Sequence, residues 1–456
     1  MPLLRYHFSG VGGAGMSPLA RLMRARGHAV QGSDRAFDAG HNRDAAEALR
    51  AGGVELVPHD GTGVTAAIDR FVFSTAVEAE TPEMRAARAL GLTTVARPAL
   101  LAELVDTGRP GVAVSGTSGK STITGMAAWL ARESGAPTAV IGGAALVGEG
   151  GGGCLVTGPA DGGVVAEADE SDGTLVGYHP ALGLIHNISR DHTELEPLRK
   201  QFATFAAQCG RLFVNARCAE AAVLGRAVGA TSYGVAPGAD TPVTARGLDA
   251  GRASGVLRWR GTDVRLEVPQ PGLHNLENAA AAALIALELG IAPEAVERLL
   301  PRFPGVARRF ETIGVTSAGI RVVDDFAHNA EKIRAALTTA QAAARRVVAV
   351  FQPHGFGPAR FLRGELRDLI PALLRPADCF CYAEIFYAGG TVTRDLSSRD
   401  LAQDIGAAYA ADHPAVVRWI VGEARPGDIV LLMGARDPEL PRLARAVFAA
   451  LSEIAV

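Results

Sequence analysis

The stretch Gly111–Trp129, GVAVSGTSGKSTITGMAAW, contains the pattern that decides the fold of this 456-residue chain. Its first residues form a short apolar run that is typical of a buried strand, and Thr122–Arg132 follows as a helix-like segment. Between them lies the glycine-rich turn Gly116–Ser121. A strand, a glycine loop ending in Lys-Ser and a helix predict a phosphate-binding loop, in which backbone N–H groups and the helix N-terminus hold phosphate oxygens.

Two side chains of this loop have expected chemical roles. Lys120 neutralises phosphate charge, and the Ser121 hydroxyl ligates Mg²⁺. The spacing is short, because only two residues separate the glycines of the loop, whereas the general pattern has four. The alternative is a glycine-rich turn with a surface lysine.

Composition describes a globular chain with ample core and gives no sign of a charged partner. Hydrophobic residues make up 48% of the chain, charged residues 20%, and the formal net charge is −3. This balance excludes the electrostatic footprint of a protein that binds nucleic acid or an anionic membrane surface. Five cysteines without a C-x-x-C pair suit free thiols in a reducing cytoplasm. No signal peptide is apparent, and no apolar run reaches the roughly 18 residues of a membrane span.

A second glycine loop lies near the N-terminus. Residues 10–15, GVGGAG, match G-x-G-x-x-G between a predicted strand and a predicted helix, and Asp34 follows the next strand. This resembles the first half of a dinucleotide-binding unit, with Asp34 where a ribose-binding acid would lie. The alternatives are another diphosphate on the helix N-terminus, or glycines that serve tight packing. An NAD-dependent oxidoreductase would use this loop but would leave the loop at 116–121 unexplained.

Apolar runs alternate with helix-like segments through the rest of the chain, which predicts an α/β fold. The length suggests about three domains. A second block begins at Gly111, after a turn-rich hinge at Thr107–Pro110, and a third block begins at Arg321.

Polar clusters follow several predicted strands, at the edge where open α/β sheets bind ligands. Glu167 and His192 each come just past an apolar strand, so both are candidates for holding Mg²⁺ beside the phosphate loop. Mg²⁺ favours oxygen ligands, so a histidine would be an unusual direct ligand and could act through water. The alternatives are a surface carboxylate and a capping histidine.

The later clusters also have two interpretations each. Asn275 and Asn278 are candidates for binding adenine or for capping the alanine-rich helix. Arg308 and Arg309 either reach phosphate or form a solvated pair. Asp324 and Asp325, with His328, either orient a ribose or an amine or form a turn. The residues alone leave these alternatives open.

Taken in order, the motifs resemble the Mur ligase family, the ATP-dependent amide ligases of peptidoglycan precursor synthesis. The matching segments are GVGGAGM, GSD, GTSGKST, EADESD, HNISRDH, PGLHNLENAAAA, GVARRF, DDFAHN and FQPH, and they span nearly the whole chain in the family's order. The N-terminal loop is most similar to the alanine-adding branch and to its tripeptide-adding relative.

This resemblance implies a three-domain α/β enzyme. A Rossmann-like UDP-sugar domain over 1–107, a central P-loop ATPase domain with a mostly parallel sheet over 108–310, and a Rossmann-like amino-acid domain over 311–456 are expected. ATP and Mg²⁺ are the implied cofactors. UDP-N-acetylmuramate supplies the carboxylate, and an amino acid or short peptide, with L-alanine favoured, supplies the amine. We expect no nucleic-acid or membrane partner, a cytoplasmic location, and a monomer or homodimer.

The resemblance also implies the site residues, position by position. For the UDP-sugar they are Gly10, Gly12, Gly13, Ala14, Gly15, Ser33, Asp34, Ser74 and Thr75. For ATP they are Gly116, Thr117, Ser118, Gly119, Lys120, Ser121, Thr122, Asn278, Arg309 and Asp325. For Mg²⁺ they are Ser121, Glu167 and His192. For the amine they are His328, His354 and Arg360. The catalytic set is Lys120, Glu167, His192 and His328.

The chain departs from the family pattern most clearly where the amine is expected. Ser118 stands where the alanine-adding branch usually has histidine, and Gly355 and Pro358 stand where the family usually has arginines. Arg360 lies two residues further on and is the candidate to substitute for them. A lost bidentate carboxylate contact is not a conservative change. A tripeptide-adding ligase, a paralogue that uses another amine, and a non-catalytic nucleotide-binding regulator therefore stay as alternatives.

Overall fold

The computed structural model describes residues 3–74, 80–149, 153–171, 173–189, 195–249, 251–387 and 393–454. The chain divides into two compact units, Met1–Val306 and Ala307–Val456. The division falls just before the predicted boundary at 310. The predicted boundary at 107–108 lies inside unit 1 and stays a prediction.

The N-terminal part of unit 1 is a parallel sheet in the order β3-β2-β1-β4-β5. Its strands are β1 (Arg5–Ser9), β2 (Ala29–Ser33), β3 (Glu55–Leu56), β4 (Arg70–Phe73) and β5 (Thr93–Ala96). Its helices are α1 (Met16–Ala25), α2 (Arg35–Asp38), α3 (Arg43–Ala51), α4 (Pro82–Ala89) and α5 (Arg97–Thr107). Because the strand order reverses beside β1, the loop after β1 lies at the switch point where such sheets bind ligands. The predicted Rossmann-like fold of this region is confirmed.

The rest of unit 1 is built on a long mixed sheet in the order β15-β14-β13-β12-β11-β10-β6-β9-β7-β8. Its strands are β6 (Gly111–Ser115), β7 (Thr138–Gly142), β8 (Cys154–Val156), β9 (Gly163–Glu167), β10 (Leu182–Ile185), β11 (Arg211–Asn215), β12 (Thr231–Gly234), β13 (Thr241–Asp249), β14 (Arg252–Trp259) and β15 (Thr262–Val268). The strands from β13 to β7 run parallel. At the two ends of the sheet, β14 and β15 continue antiparallel from β13, and β8 pairs antiparallel with β7. The sheet is mostly parallel around β6, as the sequence predicts.

The helices of this part bury the apolar faces of the sheet. They are α6 (Lys120–Ser134), α7 (Leu195–Gln208), α8 (Ala219–Val228), α9 (Leu273–Glu288) and α10 (Pro293–Leu299), with 3₁₀ turns at Thr174–Gly177 and Leu300–Arg302. The alanines of α9 are fully buried in the same core as α6. Small side chains allow these two helices to pack closely, which fixes α6 and the loop before it on the sheet.

Unit 2 is a second α/β sheet, in the order β16-β17-β21-β18-β19-β20, parallel except at β16. Its strands are β16 (Glu311–Val315), β17 (Arg321–Asp325), β18 (Val347–Gln352), β19 (Cys379–Ala383), β20 (Ala408–Ala410) and β21 (Ile429–Gly434). Its helices are α11 (Ala330–Ala343), α12 (Phe356–Leu373), α13 (Ser398–Ile405), α14 (His413–Glu423) and α15 (Leu440–Ile454). Helices cover both faces, which is the predicted Rossmann-like arrangement. Among the described residues, no helix is both long and apolar enough to cross a membrane.

Candidate active site

The phosphate loop joins the buried strand β6 to helix α6. Gly119 caps the helix with φ 87°, a conformation that favours glycine, and a Cβ there would lie 2.8 Å from Asn278 Oδ1. The backbone N–H groups of the first turn of α6 have no partner within the helix, and the helix dipole is positive at this end. The loop Gly116–Ser121 therefore has the geometry of an anion site.

Asn187 holds this loop in shape from the neighbouring strand end. It follows β10, which pairs with β6. Its carbonyl accepts the Thr117 N–H at 3.1 Å, and its Oδ1 accepts the Ser118 N–H at 2.8 Å. Its amide nitrogen donates back to the Ser118 carbonyl and hydroxyl. The HNISRDH motif predicts a role for its second histidine, and this role of Asn187 was not predicted, although the pairing of two neighbouring strand ends could have indicated it.

Lys120 of the loop is paired with two carboxylates that follow β9. Its Nζ donates at 2.6 Å to the Gly116 carbonyl and at 2.6 Å to Glu170 Oε2, and it lies 3.5 Å from Asp169 Oδ1. Burial alone would lower the pKa of Lys120, but the negative charges of Glu170 and Asp169 raise it. Lys120 therefore stays protonated and is held beside the anion site.

Ser121 and Glu167 bring two oxygen ligands together beside Lys120. The Ser121 hydroxyl donates to Glu167 Oε2 at 3.2 Å, and the Gly143 N–H donates to Glu167 Oε1 at 2.8 Å. A hydroxyl and a carboxylate are the oxygen donors that Mg²⁺ favours. No cluster of three His, Cys, Asp or Glu side chains with metal-binding geometry occurs among the described residues. His192, the third predicted ligand, lies outside the described residues.

Asn278 and His186 line the inner side of the phosphate loop. Asn278 is buried in the second turn of α9, so it does not cap that helix, and among the described residues its Oδ1 has no hydrogen-bond partner. The His186 ring also lies against Gly119, and its Nδ1 is 2.7 Å from the Tyr233 hydroxyl. Burial lowers the pKa of His186 to about 4, so the ring is neutral. Asn278 thus faces the loop glycine itself, with an orphaned acceptor that fits a ligand bearing N–H groups.

Asn275 does not cap helix α9 either. Its side-chain nitrogen donates to the Pro271 carbonyl, and its Oδ1 faces the Asn278 amide at 3.4 Å. Gly272 occupies the cap position. Asn275 therefore orients Asn278.

The first glycine loop follows β1 and uses most of its N–H groups internally. The N–H groups of Gly10 and Val11 donate to the Ser33 carbonyl, and the Gly12 N–H donates to Asp34 Oδ2 at 2.9 Å. The Gly13 N–H donates to the Gly10 carbonyl. Within the described residues, the N–H groups of Ala14 and Gly15 have no acceptor, so this corner at the start of α1 is where an anion would bind.

Asp34 and Ser33 act on the loop from within the domain. Besides Gly12, the Asp34 carboxylate accepts the Ala36 N–H through Oδ1 and so caps α2. Ser33 is fully buried, and its hydroxyl contacts Glu83 and His59. Both residues lie at the predicted site, but the structure shows them shaping the loop.

A cation missed by the sequence analysis lies at this loop. The Arg97 side chain, at the start of α5, packs on Gly15, where an added Cβ would be 3.3 Å from Arg97 Cδ and 3.4 Å from its Nη1. Its sequence context, after the short strand β5, carries no phosphate motif. Ser74 directly follows β4, and Thr75 lies outside the described residues.

The ends of β7 and β8 connect the two glycine loops of unit 1. Gly143, which bonds Glu167, follows β7, and Gly142 pairs with Cys154 of β8. Gly153, just before β8, packs so closely on the first loop that a Cβ there would be 2.5 Å from the Ala14 carbonyl oxygen. The proposed metal carboxylate and the first glycine loop therefore share one short structural support.

In unit 2, the arginine pair from the GVARRF motif has two different environments. Arg308 donates to Asp324 at 3.1 Å and to the carbonyls of Gly434 and Ala435. Its guanidinium is therefore engaged within unit 2, and the predicted solvated pair does not describe it. Burial raises the pKa of Asp324 to about 6 despite this partner. Arg309 stacks over the Phe326 ring. These contacts place both arginines in unit 2, although the predicted central domain extends to 310.

Asp325 supports the same turn. It accepts the N–H groups of Phe310 and Ala327, and burial raises the pKa of its carboxyl. The predicted nucleotide contact of Asp325 and Arg309 stays a prediction.

His328 and His354 meet at the carboxyl ends of β17 and β18. Their rings are 5.5 Å apart, and His328 Nδ1 donates to the Phe326 carbonyl at 2.8 Å. In the neutral ring, Nε2 therefore has the lone pair and can accept a proton. The two rings border a cavity of about 10 Å³. The rest of its lining is apolar: Phe351, Pro353, Pro358, Ala359, Leu362, Leu366 and Leu401.

Arg360 is turned away from this cavity. Its guanidinium pairs with Asp395 and donates to the Thr393 carbonyl, and the cavity lining does not include it. Gly355 caps α12 with φ 70° and ψ 141°, a conformation that an arginine there would adopt only under strain. The structure therefore does not bring Arg360 to the two histidines.

Comparisons with known proteins give the same three-part organisation. The Mur ligase family, catalytic domain, matches residues 5–109; the Mur ligase middle domain matches 114–286; and the Mur ligase, glutamate ligase domain, matches 308–436. The UDP-N-acetylmuramate–L-alanine ligase of Xanthomonas euvesicatoria pv. vesicatoria is 35% identical over 95% of this chain and 93% of its own length. The corresponding ligase of Xanthomonas campestris pv. campestris has the same identity and coverage.

Solved structures are similar in fold. The UDP-N-acetylmuramate-alanine ligase MurC of Thermotoga maritima superposes with a TM-score of 0.78 at 24% identity, covering 99% of this chain and 100% of its own. A murein peptide ligase of Psychrobacter arcticus has a TM-score of 0.66 at 22% identity and covers 98% and 99%. Three domains of one family match along the chain in order, and a relative is 35% identical over 95% of this chain. The chain therefore belongs to the Mur ligase family of ATP-dependent ligases.

Proposed function

We propose that this ligase joins the carboxylate of UDP-N-acetylmuramate to L-alanine in peptidoglycan precursor synthesis. The relatives that share 35% identity with it over 95% of the chain have the name of that activity. The observation that carries the proposal is the support shared by two anion sites in unit 1. A phosphate loop with Lys120, Ser121 and Glu167 lies on one side of the β7–β8 ends, and the first glycine loop lies on the other.

The first step is activation of the sugar carboxylate by ATP. The carboxylate attacks the γ-phosphorus, the bond from phosphorus to the β–γ bridging oxygen breaks, and an acyl phosphate and ADP result. Both reactants are anions, so Lys120 reduces their repulsion and stabilises charge on the transferring group. For this the lysine must exchange Glu170 for phosphate oxygen, because its ammonium is already paired. Mg²⁺ held by Ser121 and Glu167 would supply further charge stabilisation.

The second step forms the amide. The amine attacks the acyl carbon, the tetrahedral intermediate loses phosphate, and a proton leaves the nitrogen. His328 of unit 2 is the proposed acceptor of that proton through Nε2, since its Nδ1–H is held by the Phe326 carbonyl. Removal of water protects the acyl phosphate from hydrolysis.

The cavity beside His328 and His354 does not distinguish between the two candidate amines. Its volume of about 10 Å³ is that of a single water-sized group, so neither L-alanine nor a tripeptide would fit into it as it stands. L-alanine is proposed over the tripeptide because the relatives that are 35% identical have the name of the alanine-adding activity. The loss of the arginines at 355 and 358 means that recognition of the amino-acid carboxylate falls to other groups.

The cofactors, domain ends, location and oligomeric state are part of the same proposal. ATP with Mg²⁺ as the cofactors, domain ends at 107 and 310, a cytoplasmic location and a monomer or homodimer are proposed from the sequence and from family membership.

The test is ADP and phosphate release with UDP-N-acetylmuramate and a panel of amines: L-alanine, glycine, L-serine, L-glutamate and a muropeptide tripeptide. We expect turnover that requires both the UDP-sugar and L-alanine, with the tripeptide at least about tenfold slower. No stimulation by UDP-N-acetylmuramate with any amine would overturn the ligase reaction proposed here. Turnover with the tripeptide alone would replace the amine.

A further inference from the structure

Glu83 is a buried carboxylate beneath the first glycine loop that none of the predicted roles uses. It lies in the first turn of α4, and its side chain is 0% exposed. Its two oxygens contact four groups from three parts of the domain. The Ser9 hydroxyl donates at 2.5 Å, the Ser33 hydroxyl also donates, His7 Nε2 lies at 3.1 Å, and His59 Nδ1 lies at 2.9 Å.

The protonation of this network follows from its donors. The Gln31 amide nitrogen donates to the Gly63 carbonyl and to His7 Nδ1. His7 therefore has its proton on Nε2 and donates it to Glu83. An ionised carboxylate has about four lone-pair positions, so Glu83 is saturated by these donors. Burial alone would raise the pKa of Glu83, but the hydrogen bonds from His59, His7 and Ser33 hold it well below its usual range.

The network fixes the two backbone segments from which the loop is built. Ser9 is the last residue of β1 and precedes Gly10. Ser33 is the last residue of β2, and its carbonyl accepts the N–H groups of Gly10 and Val11. Glu83 thus fixes the side chain of Ser33, the residue whose carbonyl binds the first two N–H groups of the loop. A fully buried carboxylate is costly to desolvate, and its four hydrogen-bonding partners offset that cost, so Glu83 holds the ends of β1 and β2 in one fixed arrangement beneath the loop.

We infer that Glu83 is a positioning residue for the UDP-sugar. It holds Ser9 and Ser33 so that the loop after β1 keeps the N–H groups of Ala14 and Gly15 directed at the diphosphate. It does not touch the substrate itself. This inference rests on the proposed function, in which the first glycine loop binds the UDP-sugar.

The test is Glu83→Gln, which keeps the shape of the side chain but replaces an acceptor by an NH₂ group that faces donors. We expect the dissociation constant for UDP-N-acetylmuramate, measured by calorimetry, to rise at least tenfold. The KM for ATP and the kcat at saturating UDP-sugar should stay within about twofold. The matched control is Glu80→Gln, an exposed carboxylate that precedes the same helix and pairs with Arg88.

The outcomes separate the inference from the proposed function. Wild-type protein that fails to bind the UDP-sugar overturns the proposed function, whatever the variant does. Wild-type binding together with equal binding by Glu83→Gln overturns the positioning role, as does a loss of kcat with binding unchanged. If Glu83→Gln does not fold, Ser9→Ala decides: it removes one donor, and we expect about a threefold weaker dissociation constant, whereas unchanged binding overturns the inference.

Discussion

The two glycine loops of unit 1 use the same backbone device with opposite arrangements of charge. Each follows a buried strand and leads into the N-terminus of a helix. The loop at 116–121 contains its own cation, Lys120, and lies among the carboxylates Glu167 and Glu170. The loop at 10–15 contains no charged side chain. Its charges come from outside: Asp34 bonds Gly12, and Arg97 packs on Gly15.

This difference matches the two roles proposed for the loops, phosphoryl transfer at 116–121 and binding of the UDP-sugar at 10–15. Transfer needs charges that can change partners during the reaction, such as a lysine that leaves Glu170 for phosphate. Binding needs a fixed shape, which Ser33, Asp34 and the buried Glu83 provide through hydrogen bonds to the loop and to its ends. Mutations in the two loops should therefore affect different kinetic constants.

The largest effect is expected from Lys120→Ala. Removing the ammonium leaves the charge of the transferring phosphoryl group uncompensated, so ADP formation should fall by at least about 10³-fold. Calorimetry should show unchanged binding of UDP-N-acetylmuramate. The control is Arg132→Ala, an exposed residue in the last turn of the same helix. Retained turnover in Lys120→Ala would contradict the role of this loop in phosphoryl transfer.

A smaller and different effect is expected from Arg97→Ala. The KM for UDP-N-acetylmuramate should rise about tenfold, equivalent to about 1.4 kcal/mol, because a cation beside the diphosphate is lost. The kcat should change less than about twofold, since Arg97 lies at the binding loop. Lysine at this position should restore part of the affinity, and Arg85→Ala, on the exposed face of α4, is the control. A fall in kcat with an unchanged KM would show that the two loops do not divide binding and chemistry in this way.

Much of the fold could be predicted because its signals are local. The apolar strand before Gly116, the glycines of both loops and the alternation of strands and helices each depend on a few consecutive residues. The glycine loop between a strand and a helix, and Ser121 and Glu167 as neighbouring candidate ligands, were predicted in the same way, since each belongs to a motif at a strand end; their roles toward phosphate and Mg²⁺ stay predictions.

The unpredicted parts of the site depend on contacts between distant residues. Glu83 reads in the sequence as an acid in the first turn of a helix, which the helix dipole favours. Only the folded sheet shows that it meets Ser9 and Ser33, residues 74 and 50 positions away. Asn187 and Arg97 were missed for the same reason. Arg360 was predicted from spacing alone, and its ion pair with Asp395 could not be foreseen.

The smallest effect concerns the pH dependence of stability, and it tests the network under the binding loop. The hydrogen bond that His59 donates to Glu83 raises the pKa of His59, and the charges of Glu83, Asp34 and Asp38 act in the same direction, whereas burial opposes them. A raised histidine pKa contributes stability that is complete below its unfolded value of about 6.5 and is lost as the pH rises through the folded pKa. The lowered pKa of Glu83 contributes stability above its unfolded value of about 4.3 and loses it as the pH falls.

The contribution of the pair is therefore complete between about pH 4.3 and pH 6.5. His59→Gln should lower the free energy of unfolding by about 1–2 kcal/mol at pH 5.5, the size of a hydrogen bond to a charged group, and by less at pH 9. Thermal unfolding from pH 4.5 to pH 9 measures this difference. The control variant is His179→Gln, which removes an exposed imidazole beside Asp106. A difference between wild type and His59→Gln that stays constant over this range would mean that His59 is neutral, and that the charge of Glu83 is balanced by hydrogen bonds alone.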